Sequence, residues 1–531
     1  MKLRKPLSIA LLVTALLLML SSAALAQDAP DLSAVAATTS DTTTSLNVLW
    51  VFIAAFLIFF MQAGFALVET GFTRAKNVAH TMMMNMMVFC IGAIGYYFVG
   101  FGLQFGGLNH TYPALNNVSA WAFSPVTMGD WSGLLDKPLV IGEQFGIMGL
   151  SGFMLSGLTA NFGVLAFFLF QMVFMDTAAT IPTGSMAERL DFKGFVWMSL
   201  AVSMIIYPIA AMWVWGGGWL ANLGRTMGWG NGAVDFAGSG VVHLIGGTVA
   251  LAGAIVIGPR IGRFNKDGTA NAIPGHNIPM GVLGTIILFF GWFGFNPGSS
   301  LGFTGIFRDL SIIAAVNTLL AGAAGGMAAM FYMWWVGPTK KPDPGMSVNG
   351  VLAGLVAITA PCAFVDTWAA VVIGVVAGVL VCVATFALEK LRIDDPVGAA
   401  PVHFVNGLWG ALAVGIFANG NPATAAWNGV DTPVTGLLYG GSTQILAQTA
   451  QVVSVGLFVF VTSFVFFKVL AAFKVLRSKP ADELAGLDVP EMGAQGYSND
   501  DVVMHGGLGS SRIRGAVTPT RPSPSAASAA R

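Results

Sequence analysis

Charge is what this chain has least of. Only 9% of its 531 residues are Asp, Glu, Lys or Arg, against about 25% in an ordinary soluble domain. Its 25 bases balance its 25 acids, so no basic surplus exists to hold a nucleic acid. Cysteine is scarcer still: Cys90, Cys362 and Cys382 each stand alone inside an apolar run, which excludes a disulfide framework and metal-ligand spacing. There is no glycine-rich nucleotide loop and no nucleophile beside a base, so neither an enzyme nor a cofactor is expected.

What replaces charge is apolar length. Hydrophobic residues make up 55% of the chain, and apolar runs of span length recur along most of it; about 20 such residues cross a hydrocarbon core about 30 Å thick. The 67 glycines suit closely packed membrane helices. The sequence predicts an all-α membrane protein of eleven spans: 47–71, 80–105, 161–186, 194–216, 237–258, 278–298, 310–336, 346–364, 367–389, 397–419 and 443–474. Ahead of them, Lys2, Arg4 and Lys5, the apolar run Ile9 to Leu20 and Ala24-Leu25-Ala26 read as a signal peptide, 1–26, cut after Ala26. A Ser/Thr/Asp-rich periplasmic leader, 27–46, follows, then the membrane domain, 47–475, and a cytoplasmic tail, 476–531, with a disordered end. The long loop 106–160 is expected to carry a short helix near 143–158.

Loop charge orients the chain. Arg74, Lys76, Arg189, Lys193, Arg260, Arg263, Lys266, Lys340, Lys341, Lys390 and Arg392 fall on one side; Lys137, Arg225 and Arg308 fall on the other. The positive-inside rule puts the first set in the cytoplasm, the N-terminus outside and the C-terminus inside.

The chain also repeats itself. Asp235-Phe-Ala-Gly-Ser-Gly-Val-Val-His243-Leu-Ile-Gly-Gly247 opens the fifth span, and Asp395-Pro-Val-Gly-Ala-Ala-Pro-Val-His403-Phe-Val-Asn-Gly407 opens the tenth. Phe59-Phe60 with Gly64-Phe65 is echoed by Phe289-Phe290 with Gly294-Phe295. Two units of five spans, plus a long C-terminal helix, require the second unit to be inverted, an architecture that places sites at the repeat interface. Each histidine then lies eight residues past its aspartate, roughly 12 Å along a helix from its own face, near the midplane of a core about 30 Å thick. A single histidine there would read as a core residue bonded to a carbonyl. A symmetric midplane pair reads as a proton relay. Asp235 and Asp395 read as structural caps on backbone N–H groups.

These residues resemble the ammonium transporter (Amt/Mep/Rh) family, bacterial Amt type. The resemblance rests on Asp235-Phe-Ala-Gly-Ser239 with Gly246-Gly247 and Arg260, on Gly291-Trp-Phe-Gly-Phe-Asn-Pro-Gly-Ser299, on Trp215-Gly-Gly-Gly218, on Ala187-Glu-Arg189, on Asp394-Asp-Pro396 with His403, and on Met61 to Gly71. It implies a homotrimer in the bacterial inner membrane with a pore in each subunit. It implies ammonium recruitment at Trp215, Ser299 and Phe174, a gate of Phe174 and Phe295, and a pore lined by His243, His403 and Trp292. The alternatives are an Rh-type neutral gas channel and an ammonium sensor. Asp176, two residues past Phe174, departs from the apolar or small residue usual there. The tail segment Gly486 to Tyr497 resembles a cytoplasmic motif that touches a neighbouring subunit and supports a PII-type regulatory protein. Met492 and Ala494 depart from its usual His and acid.

Overall fold

The computed structural model describes residues 10–16, 32–116, 118–119, 128–427 and 429–497. Among the described residues eleven apolar helices of ten residues or more make up the fold: α1 (Leu32–Phe72), α2 (Ala75–Phe105), α3 (Phe162–Ser185), α4 (Phe192–Trp215), α5 (Ser239–Ile257), α6 (Ile278–Gly298), α7 (Ile306–Trp335), α8 (Pro344–Ile358), α9 (Thr367–Lys390), α10 (Ala400–Phe417) and α11 (Gln444–Ala472). Among the described residues ten are long and apolar enough to span a membrane; α8, at 15 residues, is not. Its expected span, 346–364, stops early because Pro361 cannot continue a helix and because the carbonyls of Thr359 and Ala360 accept from the backbone N–H groups of Ala237 and Phe236.

The first expected span, 47–71, starts earlier and one loop expectation is corrected. Residues 32–46, within the expected leader, are the first turns of α1. No Gly or Pro interrupts the chain from Leu32 to Ala63, and the hydroxyls of Thr38, Thr39 and Thr42 turn back onto carbonyls one turn earlier at 2.8–2.9 Å, so the polar residues leave the helix unbroken. The expected helix near 143–158 is instead an antiparallel hairpin, Pro138–Ile141 with Phe145–Gly149, followed by a short 3₁₀ turn, Phe153–Leu155. Glycines at 142, 146, 149, 152 and 157 weaken any helix there. The hairpin packs on the end of α4: the indole of Trp213 donates to the Ile147 carbonyl at 3.1 Å. Of the expected signal peptide, residues 10–16 are helical; the cleavage site lies outside the described residues, as does the tail beyond Tyr497.

Glycines set how closely the repeats approach. Equivalent helices α1 and α6 pack through Gly64 and Gly71 on one side and Gly281, Gly284 and Gly291 on the other, each leaving too little room for a Cβ. The same device acts reciprocally between α5 and α10. A Cβ on Gly247 would meet the backbone of His403 and Phe404, and one on Gly407 would meet the backbone of His243 and Leu244. Both glycines stand four residues past their own histidine, so each clears the space that the other repeat's histidine turn occupies.

The outward surface is apolar. On α11, Val453, Leu457, Val461 and Val465 form an exposed stripe at every fourth residue, the pattern of one helix face. Charge collects at the loop ends. Arg260 clasps Asp394 through its Nε and Nη2 at 2.8 and 3.0 Å and reaches Glu188 at 2.9 Å. Burial pushes the Asp394 carboxyl up, but the hydrogen bonds and charge of Arg260 and Arg189 outweigh it and hold the group well below the usual carboxylate range.

Candidate functional site

The two half-sites are built alike. Asp235 accepts from the backbone N–H groups of Gly238, Gly240 and Val241 at 2.7–2.9 Å. Asp395 accepts from Gly398, Ala399 and Ala400 at 2.7–3.0 Å. Gly238 and Gly398, three residues past each aspartate, both have positive φ, 111° and 78°, a turn that a residue with Cβ adopts only with strain. Beyond each, the helix opens with a π-helical turn, Ser239–Leu244 and Ala400–Val405. Such turns are rare and frequent at functional sites; here each carries the histidine.

The histidines meet. Nδ1 of His403 lies 3.2 Å from Nδ1 of His243, with ring centroids 5.2 Å apart. His243 is wholly buried and stacked on Trp292 at 5.1 Å and on Phe295 at 5.5 Å; its Nε2 has no hydrogen-bond partner. His403 retains 5% exposure.

Above the pair the expected aromatics form a continuous line. Phe295 of α6 faces Phe174 of α3 with centroids 4.2 Å apart, and Phe174 meets the Trp215 ring edge-on at 5.7 Å. Trp215 ends α4 and donates its indole N–H to the Asp235 carbonyl at 2.8 Å, so the cap of α5 and the outermost ring share one loop. Ser299 donates to the Phe295 carbonyl at 2.8 Å, leaving its oxygen lone pairs as acceptors. Trp215, Phe174, Phe295, Ser299 and Trp292 are all buried to 1% exposure or less. The expected outer recruitment residues are therefore covered rather than open.

Other residues complete the line without having been singled out. Thr359 accepts the Trp292 indole N–H at 2.9 Å, and the indole of Trp427 donates to the Ser299 carbonyl at 3.1 Å. Gln171, one turn before Phe174, is buried with neither amide atom hydrogen-bonded. Below the pair, Phe65, Glu69, Asn349 and Val402 line a narrow cavity of about 20 Å³ together with His403. Glu69 lies inside the Met61–Gly71 motif, and an acid within an apolar run was the signal available for it. Asp176 is 3% exposed, and its Oδ1 has no hydrogen-bond partner. At about 100° per residue it points roughly 200° away from Phe174 around α3, so it stands off the aromatic line.

The tail folds back onto its own chain. Glu491 lies 3.1 Å from Nε2 of His80 and accepts from Phe192 N at 2.9 Å. Asp488 accepts from His80 N at 3.0 Å, and the Tyr497 hydroxyl lies 2.7 Å from His276 Nε2.

An inverted-repeat helical membrane protein with a buried line of aromatics ending on a histidine pair is thereby defined as a class. The sequence profile of the Ammonium Transporter Family matches residues 49–497, and the chain belongs to that family. It is similar to the ammonium transporter Amt2 of Archaeoglobus fulgidus, with 43% identity over 457 residues covering 86% of this chain and 88% of the relative. A putative ammonium transporter of Synechocystis sp. is 37% identical over 455 residues, covering 86% of this chain and 90% of its own. Among solved structures, one titled Sensor Amt Protein aligns with TM-score 0.70 and 35% identity, covering 85% of this chain and 99% of its own. Mep2 of Saccharomyces cerevisiae aligns with TM-score 0.66 and 25% identity, covering 82% and 87%.

Proposed function

We propose that this protein carries ammonium across a bacterial inner membrane, as a homotrimer with one pore per subunit, its N-terminus outside and its tail in the cytoplasm. The observation that carries the reading is the aromatic line that ends on two buried histidines in contact at 3.2 Å. Ammonium is recruited at Trp215, Ser299 and Phe174, where an indole face attracts a cation by about 2 kcal/mol or more once water is excluded and a serine oxygen accepts an N–H. It passes the Phe174–Phe295 gate and gives up a proton, because a bare cation in an apolar pore is costly. Ammonia then crosses past Trp292 while the proton moves along His243 and His403. Potassium has no proton to surrender, which excludes it. The tail modulates activity and offers a surface to a PII-type protein.

A second reading, an ammonium sensor, is favoured by the 35% identity to the structure titled Sensor Amt Protein. An Rh-type gas channel is the third; it has no use for a cation site. Current recording from the full chain in a supported membrane separates them. Transport predicts current with ammonium and none with potassium or carbon dioxide; a sensor binds ammonium without sustained flux. Trp215→Leu is expected to weaken the apparent affinity about tenfold or more, with insertion intact. Unchanged concentration dependence in that variant removes Trp215 from the recruitment site.

A further inference from the structure

Glu69 sits in the last turn of α1, 3% exposed. Thr183 of α3 lies 2.9 Å from both carboxyl oxygens, and Asn85 of α2 donates to Oε2 at 2.8 Å. None of the ion pairs among the described residues involves it. An acid held in a membrane span without a counter-charge is expensive and marks function.

Glu69 and His403 line the same cavity, whose volume of about 20 Å³ has room for one water. Nδ1 of His403 is turned to His243, which leaves Nε2 for the cavity side. Asn349 lines the cavity too, and its Oδ1 is buried without a hydrogen-bond partner. A buried water needs two to four polar neighbours, and these three groups supply them. Asp395, the other acid of this region, does not line the cavity and is already engaged by three backbone N–H groups.

We propose that Glu69 is the proton acceptor on the inner side of the histidine pair, reached from His403 through one water. The Nε2–H bond of the His403 imidazolium breaks as a new O–H bond forms on the water. The water's other proton passes to the Glu69 carboxylate, which becomes a carboxylic acid. Release of that proton to the inner solution restores the carboxylate, and the imidazole is left neutral with its remaining proton on Nδ1. This inference rests on the proton route through His243 and His403 proposed above.

The test compares Glu69→Gln and Glu69→Asp with the wild type and with the His243→Ala/His403→Ala double variant, as full chains in supported membranes. Glu69→Gln is expected to cut the ammonium-evoked current about tenfold or more, with half-saturation within about twofold of wild type. Glu69→Asp keeps an acid and is expected to retain most of the current. Wild-type current in Glu69→Gln, or equal losses in both Glu69 variants, overturns the proposal. If the histidine variant loses current and Glu69→Gln does not, this inference alone fails; if the histidine variant conducts like wild type, the underlying proton route fails. Should Glu69→Gln not insert, infrared difference spectra decide. An ammonium gradient is expected to raise a protonated-carboxyl band in the wild type that shifts in Glu69→Asp, and a band that does not shift overturns the assignment.

Discussion

The half-site around His243 and the half-site around His403 share their scaffold and differ in their surroundings. Each has an aspartate accepting three backbone N–H groups, a glycine of positive φ three residues on, a π-helical turn and a glycine four residues past the histidine. Yet His243 is sealed between Trp292 and Phe295, while His403 borders a cavity shared with Glu69. The symmetric parts bring two imidazoles together at the repeat interface. The asymmetric parts leave His243 wholly buried and His403 beside a cavity lined by Glu69, the side on which the proposed route releases its proton. In that proposal symmetry sets location, and departure from symmetry sets direction.

Removing the imidazoles breaks the comparison most severely. In the His243→Ala/His403→Ala variant no titratable group is left at the meeting point of the repeats, and proton-coupled current is expected to fall at least about tenfold. His243→Asp is expected to behave differently, because a fixed negative charge between Trp292 and Phe295 attracts intact cations. Potassium current should then appear in His243→Asp and not in His243→Ala, measured in matched membranes. If both conduct like wild type, the pair is a packing feature.

The next effect tests how the pair is brought together. Gly247→Ala places a methyl against the backbone of His403 and Phe404, and Gly407→Ala places one against His243 and Leu244. Backbone cannot move aside as a flexible side chain can. Overpacking of this kind costs about 1–3 kcal/mol, and here the strain separates the two rings. Each alanine is expected to reduce ammonium current severalfold and lower the unfolding midpoint in detergent. An alanine at either glycine that changes neither quantity refutes the reciprocal fit.

That fit also shows what was legible in the sequence. Identical offsets from Asp to His to Gly in the two repeats are a one-dimensional record of a two-fold arrangement, so the meeting of His243 and His403 follows from counting. The aromatic line was legible only through the family resemblance, since 39 Phe and 14 Trp offer no internal reason to choose Phe174, Phe295 or Trp215. Thr359, Asn349 and Trp427 escaped because polar or aromatic residues at span ends and in loops carry no periodic signal. The early start of α1 was not legible because Ser, Thr and Asp set 27–46 apart as a polar leader, whereas the hydroxyls of Thr38, Thr39 and Thr42 satisfy themselves on the helix backbone.

The caps should separate the halves more gently. Asp235 is 1% exposed and also takes a hydrogen bond from Gln451 at 3.1 Å; Asp395 is only part-buried. A buried donor left unsatisfied costs about 1–3 kcal/mol; the donors are buried in both loops, but water can enter the partly exposed place that the Asp395 carboxylate vacates. Asp235→Ala is therefore expected to lower the thermal midpoint more than Asp395→Ala. Equal shifts would mean that the loop at Asp395 is as dry as the loop at Asp235.

The smallest effect concerns the tail, which docks at the starts of α2 and α4 and on the segment before α6. Burial pushes the Glu491 carboxyl up, but the hydrogen bond and charge of His80, with hydrogen bonds from Ser478 and Phe192 N, outweigh it and leave the group below its ordinary value. A carboxylate held low when docked stabilises the docked state above the unperturbed pKa of about 4.3. That contribution is lost as pH falls through the lower, docked value. The tail should thus stay docked at neutral pH and loosen only under acid conditions below about pH 4, read as protease accessibility of residues 478–497. Asp488, which accepts from His80 N, faces the same surface, so the control is Glu491→Gln rather than acid alone. That variant should show a looser tail at pH 7 and a flatter acid response. Its effect on current should stay within about twofold if the tail modulates transport without forming the pore, since Glu491 pairs with His80 at the loop end of α2 and does not line the cavity beneath His403. A tail equally protected in the wild type and in Glu491→Gln at every pH would assign its docking to Asp488, Tyr497 and Lys76, whose Nζ donates to the Glu483 carbonyl at 2.9 Å, instead.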